Sequence, residues 1–194
     1  MITYDARTAL LVVDVQNDFA DPAGSLYVAG GEAVVPIANA EIERAASAGA
    51  TLVYTQDWHP ESTPHFAKDG GIWPVHCVWD TWGADFHPDL VVRGSVLRKG
   101  TGGEDGYSAF SVRDPQSGAR SDTVLDEVLR TSGIESVVIT GLATDYCVKE
   151  TVLDAAARGF PATVILDGIR AVDLAEGDGA RAIEAMRDAG AHTV

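Results

Sequence analysis

Short apolar runs alternate along the chain with segments of helical spacing, and this alternation limits what the chain can fold into. The runs are Ala9–Val13, Thr51–Thr55, Ser95–Leu97, Ser136–Thr140, Ala162–Leu166 and a remnant at His192–Val194. Most are apolar throughout, the pattern of strands covered on both faces. Between them the spacing predicts helices over Glu32–Ala48, Thr123–Thr131, Val148–Arg158 and Asp178–Ala189. In the second of these, Val124, Leu125, Val128 and Leu129 line one face. Gly49, Gly133, Gly159 and Gly190 each close a helical segment just ahead of a strand, where a left-handed residue ends a helix. Repeated strand–helix–strand units require right-handed crossovers and a parallel sheet covered on both sides. The expected fold is α/β: one doubly wound, Rossmann-like domain spanning residues 1–194, with a central, mostly parallel six-stranded sheet.

Composition narrows the partners. Of 194 residues, 29 are Asp or Glu and 14 are Lys or Arg, a formal net charge of -15. Such a surface repels a nucleic-acid backbone and an anionic membrane alike, so neither is an expected partner. A hydrophobic content of 46% supplies a core and excludes wholesale disorder. The first apolar run is cut off by Asp14, too early for a signal peptide or a membrane span. Two cysteines, Cys77 and Cys147, cannot build a disulfide framework. The expectation is a cytoplasmic protein with reduced thiols.

Ligands of an open parallel sheet bind beyond the carboxyl ends of its strands, so the residues just past each run matter most. Asp14 follows the first, Asp57 and His59 the second, Lys99 the third, and Gly141-Leu142-Ala143-Thr144-Asp145-Tyr146-Cys147 the fourth. The strand order 3-2-1-4-5-6 would set Asp14 and Cys147 face to face. Cys147 opens a predicted helix, whose free N–H groups and dipole favour a thiolate and could also hold an oxyanion. The competing reading is a small buried cysteine. Asp14 at the end of an apolar strand needs a partner, and Lys99 is one; a cap and a solvated rim charge are the alternatives. Asp57 and His59, two apart, point the same way on an extended segment. With His65 and His76 in the following loop they could hold Zn²⁺, Fe²⁺ or Mn²⁺, or they could be a packing turn and ordinary surface histidines. That loop, Gln56 to Val92, carries four histidines and all four tryptophans, which argues for function over disorder. Cys77 is assigned a packing role, with metal ligation or a disulfide as the alternatives.

These residues together resemble the nicotinamidases of the isochorismatase-like cysteine hydrolase superfamily over nearly the whole chain. Gly141-Leu142-Ala143-Thr144-Asp145-Tyr146-Cys147-Val148-Lys149-Glu150-Thr151 is similar to the family's nucleophile motif. Val13-Asp14-Val15-Gln16-Asn17-Asp18-Phe19 resembles its first-strand motif, and Arg98-Lys99-Gly100 its lysine motif. Asp57-Trp58-His59-Pro60 and Trp73-Pro74-Val75-His76-Cys77 resemble its metal and substrate-loop motifs. The resemblance implies the isochorismatase-like hydrolase fold and a catalytic set of Asp14, Lys99 and Cys147. It implies Asp57, His59 and His76 as ligands of one divalent metal ion, with His65 matching a fourth ligand found in only some members. Phe19, Trp73 and Tyr107 match an aromatic wall around the substrate ring. A cis peptide between Leu142 and Ala143 is implied, turning the Ala143 N–H, with that of Cys147, toward the oxyanion.

The implied reaction is hydrolysis of nicotinamide to nicotinate and ammonia through a cysteine thioester, in NAD salvage, with pyrazinamide as a further small-molecule substrate. The resemblance is also compatible with a homo-oligomer. A related cysteine amidase acting on a carbamoyl amide is the nearer alternative; such relatives keep the triad but generally lack the metal set. A non-catalytic metal-binding or redox-sensing protein is the distant one.

Overall fold

The computed structural model describes residues 2–194. Eight strands form: β1 (Thr8–Val13), β2 (Thr51–Asp57), β3 (Ser95–Lys99), β4 (Ser111–Arg113), β5 (Arg120–Asp122), β6 (Ser136–Leu142), β7 (Ala162–Arg170) and β8 (His192–Thr193). The helices are α1 (Asn17–Ala20), α2 (Val34–Ser47), α3 (Leu125–Thr131), α4 (Lys149–Ala157) and α5 (Asp178–Asp188). Six strands make one sheet in the order β3-β2-β1-β6-β7-β8, and every pair in it is parallel. Counted along the main sheet this is the expected 3-2-1-4-5-6, which sets β1 beside β6 at the point where the order reverses.

Alternation along β1 explains the two layers. Leu10 and Val12 face one side and pack with Val34, Val35, Ala38 and Ile42 of α2. Ala9, Leu11 and Val13 face the other and pack with Leu125, Leu129, Val152, Ala155 and Met186 from α3, α4 and α5. A strand buried on both faces must be apolar at every position, which is why the run reads without polar breaks. Gly49, Gly133, Gly159 and Gly190 all adopt positive φ at the ends of their helices. No helix among the described residues is long and apolar enough to cross a membrane. Both cysteines are free thiols and buried.

Four local features depart from expectation. The stripe predicted for α3 is half exposed: Leu125 and Leu129 are buried, but Val124 and Val128 face solvent, because this seven-residue helix meets the sheet along a single line. The third strand extends to Lys99, and as an edge strand it leaves Val96 and Arg98 exposed. The segment between β3 and α3 contains an antiparallel hairpin, β4–β5, that no apolar alternation announced. Helical structure after β6 begins with a π-helical turn over Thr144–Val148, ahead of α4, so Cys147 lies within that turn.

The junction of β1 and β6 tolerates no side chain at one position. Gly141 pairs with Val13 at φ 124°, and an added Cβ would fall onto the Val13 carbonyl. Gly141→Ala should therefore cost about 3 kcal/mol or more. Gly133→Ala, at positive φ but with open space around it, should cost only about 1–2 kcal/mol. Urea unfolding of the two variants measures the difference.

Candidate active site

Parallel pairing brings three charged groups to the carboxyl edge of adjacent strands. Lys99, the last residue of β3, is registered against Asp57, the last of β2, and Asp14 is the first residue beyond β1. The Lys99 ammonium donates to Asp14 Oδ2 at 2.7 Å, to Asp57 Oδ1 at 2.6 Å and to the Gly106 carbonyl. The Cys147 sulfur lies 3.8 Å away. Asp14 is wholly buried, at positive φ, and its second oxygen accepts from Thr55 at 2.6 Å. Asp14 therefore meets neither a cap nor solvent, and Lys99, 1% exposed, is no rim charge.

One cation shared by two carboxylates divides their roles. Burial pushes the Asp14 carboxyl up, against the pull of Lys99, and the Asp57 charge pushes it further. Burial acts the same way on Asp57, but Lys99 and His59 outweigh it and hold that carboxyl well below its ordinary range. Lys99 is held cationic by both acids despite its own burial. Asp57 thus keeps its negative charge, and Asp14 is the carboxylate readier to take a proton.

Cys147 does not rest as the thiolate that a helix N-terminus favours. Burial pushes its thiol well above the ordinary value, and Asp14 and Asp57 add to the push while Lys99 opposes it. The thiol is neutral at rest and needs a base beside it. The Leu142–Ala143 peptide is cis, and the π-helical turn is closed by the Val148 N–H donating to the Ala143 carbonyl at 3.1 Å. Asp145 fastens this turn to the segment after β7, accepting from the N–H groups of Val172 at 2.9 Å and Asp173 at 2.8 Å.

Beside Asp14, Lys99 and Cys147 sits a cluster of imidazoles. His59, His65 and His76 are all buried, and one nitrogen of each lies within 4.8 Å of the others. Asp57 Oδ2 is 3.7 Å from His59 Nε2 and 4.0 Å from His76 Nε2. His76 Nδ1 donates to the Pro74 carbonyl and His65 Nδ1 to Asp105, each at 2.7 Å, which leaves both Nε2 lone pairs available. His76 is pushed down to about 4 by burial and by His59, so it is neutral, as a ligand must be. Among the described residues only four buried side-chain polar atoms lack a partner, and two of them are the ring nitrogens of His59. Buried polar groups are nearly always satisfied, so an orphaned imidazole facing two others and a carboxylate fits a divalent metal. Gly100 permits this placement, since a Cβ there would lie 2.7 Å from His59 Nδ1. His87, the remaining histidine of the long loop, accepts from the Asp89 N–H and takes no part.

A pocket opens between the cluster and the thiol, lined by Phe19, Trp73, Tyr107, Tyr146 and Val172. Phe19 packs on His76 with ring centres 5.4 Å apart. Trp73 donates from Nε1 to the Tyr107 hydroxyl at 2.8 Å and meets Tyr146 edge-on at 4.7 Å. A wider, polar groove lies outside the Tyr107–Tyr146 wall, lined by Arg113, Arg120 and Lys149, and the thiol does not reach it.

The structure brings Phe19, Trp73 and Tyr107 to one pocket and adds Tyr146, which the sequence offered only as part of the motif ending in Cys147. Sequence reasoning also passed over the residues that hold the site. Gln16 donates to the carbonyls of Asp57 at 2.8 Å and Ala84 at 2.9 Å and accepts from the Asp57 N–H at 2.8 Å. Asp18 accepts from the N–H groups of Ser25 at 2.9 Å and Cys77 at 2.7 Å, tying the substrate loop to α1. A dense polar run directly after an apolar strand was the available signal for both.

The family model described as the isochorismatase domain matches residues 8–194. The chain is 40% identical to the nicotinamidase of Escherichia coli K12, over 94% of this chain and 92% of that one. It is similar to the pyrazinamidase of Pyrococcus horikoshii, solved in complex with zinc, with a TM-score of 0.84 and 38% identity over 97% and 98% of the two chains. It is also similar to PnC1 from L. infantum, solved in complex with nicotinate, with a TM-score of 0.88 and 34% identity over 100% and 95%. The match runs through every strand of the main sheet and both halves of the buried site, and the chain belongs to the isochorismatase family.

Proposed function

We propose that this protein is a cysteine amidohydrolase that converts nicotinamide to nicotinate and ammonia, serving NAD salvage. One observation carries the reading: a single buried ammonium joins Asp14, Asp57 and the Cys147 sulfur, linking a thiol with a base beside it to a ligand set facing the same pocket. Carbamoyl-amide hydrolysis does not call for that ligand set, and a redox sensor does not call for the base.

Asp57, His59, His76 and His65 would hold one divalent ion, Zn²⁺, Fe²⁺ or Mn²⁺, which when bound supplies a Lewis-acid anchor for the pyridine nitrogen. The ring lies between Phe19 and Trp73, which sets the carboxamide beside Cys147. Asp14 removes the thiol proton as the sulfur attacks the carbonyl carbon. The N–H groups of Ala143 and Cys147 receive the oxyanion. Collapse of the tetrahedral intermediate breaks the C–N bond, and Asp14 returns its proton to the departing ammonia. Asp14 then takes a proton from water, hydroxide adds to the thioester, and the thiol re-forms as nicotinate leaves. Lys99 keeps Asp14 oriented and offsets the negative charge that gathers near the sulfur. Pyrazinamide offers the same flat ring and carboxamide to the pocket. A nucleophile that works as a free thiol suits a reducing compartment, which supports the reading of a cytoplasmic enzyme.

Ammonia release from nicotinamide by the metal-loaded protein tests the assignment; release from carbamoylated amines alone would move it to a neighbouring amidase. Cys147→Ala should abolish turnover yet keep nicotinate and metal binding by calorimetry. His59→Ala should weaken metal and nicotinate binding more than it slows alkylation of Cys147, and equal losses would indicate unfolding. Lys99→Met leaves two buried carboxylates without a countercharge. It should cost about 3–5 kcal/mol in urea unfolding, as well as turnover.

A further inference from the structure

We propose that Asp105 is a positioning residue that holds His65 as a metal donor, and that Arg113 sets which way Asp105 serves it. The inference rests on the metal reading above and concerns a carboxylate that lies outside the ligand cluster.

Among the described residues Asp105 is the hydrogen-bond partner of the His65 ring, with Nδ1 to Oδ1 at 2.7 Å. The other carboxylate oxygen accepts from Arg113, from Nη2 at 2.7 Å and from Nε at 3.1 Å. Asp105 is buried, whereas Arg113, the last residue of β4, has a half-exposed side chain. Their backbones are paired as well, N–H to carbonyl in both directions, at 2.7 and 3.0 Å. A second tie joins the same two loops: Thr63 donates to the Gly103 carbonyl at 2.6 Å and accepts from the His65 N–H at 3.2 Å. The β4–β5 hairpin is thus clamped to the back of the histidine cluster.

The chemistry follows from counting protons. A neutral imidazole has one N–H and one lone pair, and a carboxylate can only accept. Asp105 therefore fixes the proton on Nδ1 and leaves the Nε2 lone pair toward His59 and His76. His76 has its Nδ1 proton fixed by a backbone carbonyl, so among these histidines only His65 depends on a side chain for its tautomer. Arg113 occupies the remaining Asp105 oxygen and keeps that carboxylate turned to the back of His65.

This arrangement makes Asp105→Asn an informative substitution. Arg113 can only donate, so it draws the amide oxygen to itself and leaves the NH₂ group facing His65 Nδ1. A donor there forces the proton onto Nε2 and removes the lone pair a metal would use. Adding Arg113→Met releases the amide to flip, so that its oxygen again accepts from Nδ1.

Cobalt(II) affinity, read by chelator competition and by the visible spectrum of the bound ion in the full chain, tests the inference. Asp105→Asn should weaken Co²⁺ binding roughly 10- to 100-fold and change the spectrum. His65→Ala should do the same, and the two together should lose little more than either alone. Asp105→Asn with Arg113→Met should recover part of the loss, which a merely structural role for Asp105 would not produce. Near-UV circular dichroism of Asp105→Asn checks that its fold is kept; a misfolded variant would show no recovery on adding Arg113→Met, and that result counts against the inference. Affinity within about twofold of the wild type in Asp105→Asn, or fully additive losses with His65→Ala, would overturn it. If the wild-type protein takes up no Co²⁺, the metal reading itself falls and takes this inference with it.

Discussion

The Lys99 ammonium makes the rest of the site physically allowable. Two carboxylates side by side in a protein interior repel each other and lose their hydration, and either penalty alone can exceed what a small domain has to spare. A cation held between them at hydrogen-bonding distance offsets both. It does so because β1, β2 and β3 are adjacent, parallel and in a register that ends Asp57 opposite Lys99. Register in this sheet is therefore an electrostatic matter as well as a matter of packing. A slip of one residue along β3 would bring Arg98, exposed at the surface, to the place where the buried cation is required.

Asp57 is the hinge between two kinds of chemistry. One of its oxygens faces Lys99, and through it Asp14 and the thiol; the other faces the imidazoles. The two halves of the site are consequently held in fixed relation by a single side chain at a strand end. Gln16 brackets the Asp57 backbone on both its N–H and its carbonyl, which keeps the relation from drifting.

What could be read from the sequence was whatever the parallel sheet gathers by its own geometry. Asp14, Asp57, Lys99 and Cys147 each follow an apolar run, and strand ends in such a sheet converge whatever the loops do. The order of the strands followed for the same reason. His65 and Asp105 lie forty residues apart, each in an irregular loop on either side of β3, and no periodicity encodes their meeting. The β4–β5 hairpin was hidden because its strands are three residues long and largely exposed, so they carry no alternation to detect. Val124 and Val128 misled because a helical stripe says which residues share a face but not how much of it a neighbour will cover. Position at a helix start left two readings of Cys147 open, a favoured thiolate and a small buried cysteine, and burial with two neighbouring carboxylates keeps the thiol protonated.

The pocket walls are drawn from a different source than the buried charged groups and the thiol. Trp73 hangs in the long loop between β2 and β3, and Tyr107 stands in the connection after β3; the two are joined to each other by a hydrogen bond, while Asp14 and Lys99 sit at strand ends and Cys147 in the turn after β6. The aromatic walls of the pocket and the charged groups at the sheet edge therefore sit on parts of the chain that can change at different rates. A lineage could lengthen the loop or trade one aromatic for another and so admit a different amide, while inheriting the thiol chemistry intact.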